Sequence, residues 1–150
     1  MISAIDLAKY VVSQANYTGY KITHLKLQKI LYYIQGNYLA RFGVPLFYEQ
    51  IEAWQYGPVV PEVYYEYVAY GALNLQSEGT PRDCEPNWRY TDKDFVDSVL
   101  KKKLPFSASS LVGSTHREMP WLEHKQEVEL GGHPTISTTS MKRYFSGVGE

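Results

Sequence analysis

The densest cluster of reactive side chains in this chain is Ser114-Thr115-His116-Arg117-Glu118, which sets two hydroxyls beside an imidazole, a guanidinium and a carboxylate. Such a set could serve base-assisted nucleophilic chemistry. That chemistry needs a nucleophile within hydrogen-bond reach of its base, and a third group to orient the base. Adjacency in sequence does not supply this geometry. A histidine near a helix end can instead cap carbonyls or stack on a nearby ring, here Trp121. The spacing favours that structural role, and no catalytic residue is assigned.

The other chemistries find less support. His24, His116, His124 and His133 form no i, i+4 or His-x-His pair, and Cys84 is the only cysteine. Zinc sites are built from close-spaced His and Cys ligands, so no metal is expected. There is no glycine-rich phosphate loop and no Gly-x-Ser-x-Gly elbow, so no cofactor is expected either. A net charge of −1 disfavours a phosphate-tracking surface. The one basic run, Lys101-Lys102-Lys103, falls where a helix should end and where cations complement the helix dipole.

A lone cysteine cannot close an internal disulfide, which suits a reducing compartment. The first residues lack the basic-then-apolar order of a signal peptide, and no apolar run approaches the ~18 residues of a membrane span. The expectation is a cytoplasmic, soluble protein of one domain, 1–150, with neither a nucleic-acid nor a membrane partner. Fourteen tyrosines stand out. Tyrosine joins a large apolar ring to a polar tip and serves both half-buried cores and protein interfaces.

The pattern of apolar residues predicts about six helices and a small β element. Ser3 with Asp6 opens a helix to about residue 16, with Ala4, Ile5, Ala8, Val12 and Ala15 on its apolar face. Thr23 caps a second helix to about residue 41, with Gly43 past its end. Leu27, Ile30, Leu31, Ile34 and Tyr38 line one face, and Leu25, Tyr32 and Leu39 form a flanking row. A helix apolar on two flanks packs on both, which makes it central; Lys26, Lys29 and Asn37 mark its expected polar side.

Residues 47–56 shift toward a period of two, rich in aromatic and β-branched residues, and predict one or two short strands ended by Gly57-Pro58. Pro61 fits the first turn of a third helix to about residue 70, stopped by Gly71. Val60, Val63, Tyr64, Tyr67 and Val68 should be buried there, with Glu62, Tyr65, Glu66 and Ala69 outside. Residues 72–90 read as a long connection with a short strand near 88–90. Thr91 with Asp94 caps a helix over 93–103, a further helix covers 107–115, residues 122–134 form a flexible loop, and Ser137 caps a last helix over 138–145.

Four segments occur in a telling order: L-K-L-Q-K-I-L-Y-Y at 25–33, F-x-x-x-I-x-A-W-x-x-G-P-V-x-P-x-V-Y at 47–64, S-T-H-x-x-x-P-W at 114–121 and I-S-x-x-x-M-K-x-Y-F at 136–145. Together they resemble the Panacea antitoxin domain, also described as SocA-like or GepA-like phage-associated proteins. The resemblance spans nearly the whole chain and is weakest at 72–90. It implies a non-enzymatic antitoxin of a toxin–antitoxin system that neutralises a small protein toxin, encoded by a neighbouring gene, through direct contact. It also implies an alternative, an adaptor that hands the toxin to a cytosolic ATP-dependent protease. An enzyme that reverses toxin damage is a third reading, resting only on His116 and Glu118. The family carries no established catalytic residues.

Under the first reading the candidate interface residues are Trp54, Tyr56, Glu62, Tyr65 and Glu66. Aromatic residues dominate interface hot spots, and acidic neighbours steer a basic partner. Trp54 has a competing role as a core anchor, since large rings near a chain reversal are more often buried. Gly57, Pro58, Pro61, His116 and Trp121 are expected to be structural, with Gly57 holding a backbone geometry closed to other residues.

Overall fold

A computed structural model describes residues 1–147. The chain is mainly helical with a small antiparallel sheet, as its periodicity predicts. Helix α1 (Ala4–Thr18) begins at Ser3, whose hydroxyl accepts from Asp6 N–H, and ends at Gly19 in the left-handed region. Helix α2 (His24–Phe42) begins at Thr23, whose hydroxyl accepts from Lys26 N–H, and ends at Gly43. A β-hairpin follows, β1 (Ile51–Trp54) and β2 (Gly57–Val59), then α3 (Pro61–Tyr67), extended by a 3-10 turn over Val68–Tyr70. After a long connection come α4 (Asp92–Lys103), α5 (Ala108–His116), α6 (Met119–Leu122), α7 (Lys125–Glu129), β3 (Thr135–Ile136) and α8 (Thr138–Gly147).

Helix α2 is the hub. It packs on α1, α3, α4, α5, α8 and β2. Almost every side chain from Lys26 to Leu39 is buried. The expected polar side of this helix is therefore wrong for two of its three residues: Lys26 and Lys29 are buried, at 6% and 0% exposure. Their ammonium groups find main-chain acceptors instead. Lys26 Nζ donates to Leu104 O at 2.6 Å, closing the end of α4, and Lys29 Nζ donates to Pro58 O at 3.0 Å. A helix surrounded on all sides has no solvent face to give its lysines, and a carbonyl must take that place.

Strand β1 is central in the sheet, with β2 on one side and β3 on the other, both antiparallel. Ile51 faces Ile136, and Trp54 faces Gly57. Gly57-Pro58 thus open the second strand rather than end the first, because the hairpin reverses at Gln55-Tyr56. The polar stretch 122–134 is not all flexible loop: it contains α7. No strand forms near 88–90; Trp88 packs edge-on against Tyr10 at 5.1 Å. Thr91 precedes α4 but makes no side-chain cap bond, and Val68 is 40% exposed rather than buried. The connection 72–90 is tied down by Asn16, whose amide donates to Leu75 O and accepts from Ser77 N–H.

Candidate functional site

The three segments at 25–33, 47–64 and 114–121 meet in space at the hairpin. Four side chains hold its backbone. Gln28 Oε1 accepts from Val60 N–H at 2.7 Å. Lys29 Nζ donates to Pro58 O. The His116 ring nitrogen Nε2 lies 3.0 Å from Gln55 O, and Trp121 Nε1 donates to Trp54 O at 2.8 Å. Two anchors come from α2 and two from α5–α6, so the turn is gripped from both strands. Each buried hydrogen bond contributes roughly 1 kcal/mol, and a stranded carbonyl would cost about 1–3 kcal/mol.

Gly57 makes the grip possible. Its φ is +109°, and a Cβ there would lie 2.8 Å from both Lys29 Cε and Thr115 Oγ1. Burial without a carboxylate partner holds the Lys29 amine down to about 7.

His116 stacks on Trp121 with ring centroids 4.1 Å apart, the stacking partner its position suggests. The carbonyl it meets belongs to the hairpin turn rather than to its own helix. Burial lowers its pKa. Glu118 is occupied elsewhere. Tyr32 and Tyr33 donate their hydroxyls to its two oxygens at 2.9 and 2.7 Å, and burial raises its pKa. Both groups are thus committed to bonds that hold elements together. Among the described residues, no three His, Cys, Asp or Glu side chains gather as metal ligands would.

The interface candidates divide among neighbouring surfaces. Tyr56 projects from the turn at 58% exposure. It stands between a cavity of about 710 Å³, walled by Trp54, Tyr64 and His133, and another of about 690 Å³ beside Trp121 and Lys125. Trp54 is half-buried. Its ring stacks on His133 at 4.2 Å and meets Tyr64 at 4.7 Å, while its Nε1 donates to Glu52. Glu62 and Tyr65 border a cleft of about 470 Å³ with Tyr48, Glu49 and Glu52. Tyr65 is 70% exposed and meets Tyr64 edge-on, so the rings run Trp54–Tyr64–Tyr65 without a break. Glu66 turns to a different depression, beside Lys9 and Cys84.

Gln28 and Lys29 are the site residues that sequence reasoning missed. The signal was present: a helix apolar on both flanks leaves no exposed arc, so polar residues within it must hold something.

The family described as "Antitoxin SocA-like, Panacea domain" matches residues 27–122, and the chain belongs to it. That stretch holds all four hairpin anchors. Among curated proteins, the chain is similar to "Antitoxin SocA" of Caulobacter vibrioides (strain NA1000 / CB15N). The two are 30% identical over 129 residues, covering 80% of this chain and 69% of the relative. No solved structure matches it. Among the described residues, no helix is long and apolar enough to cross a membrane.

Proposed function

We propose that this protein is an antitoxin that neutralises a cognate protein toxin by direct, stoichiometric contact, and that the contact face is the band Tyr56–Trp54–Tyr64–Tyr65 edged by Glu52 and Glu62. Family membership supports the antitoxin role. The observation that carries the choice of face is the fixed hairpin backbone, which presents an exposed tyrosine and a continuous row of rings. Rigid aromatic side chains lose little freedom on binding and form the desolvated centre of protein interfaces. The acidic edge suits a toxin surface bearing lysine or arginine.

The test is co-expression with the protein encoded beside this gene, followed by affinity purification and growth assays. The wild type should co-purify and restore growth. Tyr56→Ala and Tyr65→Ala should each remain folded by circular dichroism, and at least one should lose about 2 kcal/mol or more of binding, near thirtyfold in Kd. Two folded variants that still neutralise fully would sink the assignment of this face. A toxin that disappears faster in the presence of wild-type protein would point to the adaptor role instead.

A further inference from the structure

Beside the hairpin, the cavity of about 710 Å³ lies within the size range of small-molecule sites. Its walls are aromatic: Trp54, with Tyr64 and His133 each in contact with it. Its floor is polar and under-used. Gln28 is 1% exposed, and its Oε1 already accepts from Val60 N–H, which fixes the amide so that Nε2 points away; among the described residues that nitrogen has no acceptor. Lys29, wholly buried, makes a single hydrogen bond among the described residues, although its amine carries at least two N–H groups. His24 Nδ1, a donor or an acceptor according to tautomer, is also buried without a partner among the described residues. Buried donors left unpaired are costly, and native proteins leave few of them. Among the described residues no aspartate or glutamate lines the cavity. Gln28 and Lys29 therefore offer hydrogen-bond donors that a ligand acceptor could take.

We propose that this cavity binds a small planar aromatic acid, its ring against Trp54 and Tyr64 and its carboxylate toward Gln28 Nε2 and Lys29 Nζ. A ring gains offset or edge contacts on the two walls. A carboxylate gains charge-assisted hydrogen bonds in a site shielded from water. Gln28 and Lys29 both line the cavity, and Lys29 can keep one N–H on Pro58 O while another turns to the ligand. A carboxylate beside the Lys29 amine would offset the burial that lowers its pKa and so favour its protonated form. The inference goes beyond toxin neutralisation and does not depend on it, since binding is read on the protein alone.

The probe is indole-3-acetate, followed by the Trp54 indole N–H signal in two-dimensional NMR of the full chain at slightly acidic pH. Saturable shifts with a Kd of about 1 mM or tighter are expected. The isosteric neutral indole-3-acetamide should bind at least about tenfold more weakly. Lys29→Met should abolish that preference, and Ala72→Trp, at the exposed rim, should block both compounds. No saturable shift at about 10 mM, or equal binding of acid and amide by the wild type, overturns the proposal. If Lys29→Met fails to fold, the wild-type ratio and Ala72→Trp decide. A Gly-Gly-Trp peptide that binds far more tightly than indole-3-acetate, and loses this on C-terminal amidation, would assign the cavity to the end of a protein chain and remove the small-molecule reading. Neutralisation assays stand apart: a failure there leaves the NMR result intact, and the reverse holds as well.

Discussion

A methyl group at position 57 has nowhere to go. The backbone there lies at φ +109°, a conformation costly for any residue with a Cβ, and the space beyond is filled by Lys29 and Thr115. Gly57→Ala should therefore destabilise the protein by at least ~2 kcal/mol, read as a lower urea midpoint at unchanged slope. A variant within about 0.5 kcal/mol of wild type would show that the hairpin can leave its anchors without loss. The demand for glycine was legible from the G-P pair beside a reversal. What presses on it was not: nothing local in the sequence tells that a lysine 28 positions earlier and a threonine 58 positions later end up against one α-carbon. His116 was legible as a ring stacked on Trp121, but the carbonyl it meets, 61 residues away, was not.

Helices α2 and α8 approach so closely that the Phe145 ring occupies the place a side chain at Gly36 would take. Phe145 also lies edge-on to Tyr32 at 5.4 Å and to Tyr33 at 6.0 Å, so one ring closes the far side of the hub helix. Gly36→Ala should expel that ring and cost about 1–3 kcal/mol, the usual range for overpacking. Hydrogen exchange should then quicken through α8 first; uniform protection would contradict this account. At this scale much was readable in advance. The caps at Ser3, Thr23, Ser107 and Ser137 each accept a backbone N–H as their residue types suggest. Local hydrogen bonding decides helix ends, so local sequence reveals them. The short α7 escaped because four polar residues and a single valine carry no apolar period, and β3 escaped because two residues become a strand only by pairing with β1. In the first helix, Leu7, Tyr10 and Val11 are buried along with the predicted small residues, since α1 is covered more widely than one stripe requires.

The whole molecule should respond to pH mainly through its buried lysine. In the unfolded chain the amine keeps its proton to about 10.5, whereas in the folded protein it releases it near 7. Between those values the unfolded state binds more protons, so stability rises with pH, by at most about 1.4 kcal/mol per pH unit for one proton. His24 and His116, both lowered by burial, add the same sign below their ordinary 6.5. Tyr32 and Tyr33, raised by burial and by Glu118, oppose it once the pH passes their ordinary value of 10.0. Glu118, raised by burial, opposes the histidines in the acid range, so urea midpoints should climb from about pH 7 to about pH 9 and fall beyond 10. Lys29→Met should flatten the climb above neutrality, and an unchanged slope in that variant would place its origin elsewhere. The same lysine belongs to a set of anchors with an order in time. Gln28 and Lys29 leave the ribosome early, whereas His116 and Trp121 follow only after some ninety further residues have been added. A nascent chain that ends before His116 therefore has only two of the four groups that hold the hairpin. If the hairpin is the contact face proposed above, protection tracks completed copies rather than translation starts, since a chain interrupted before Trp121 lacks one or both of the late anchors.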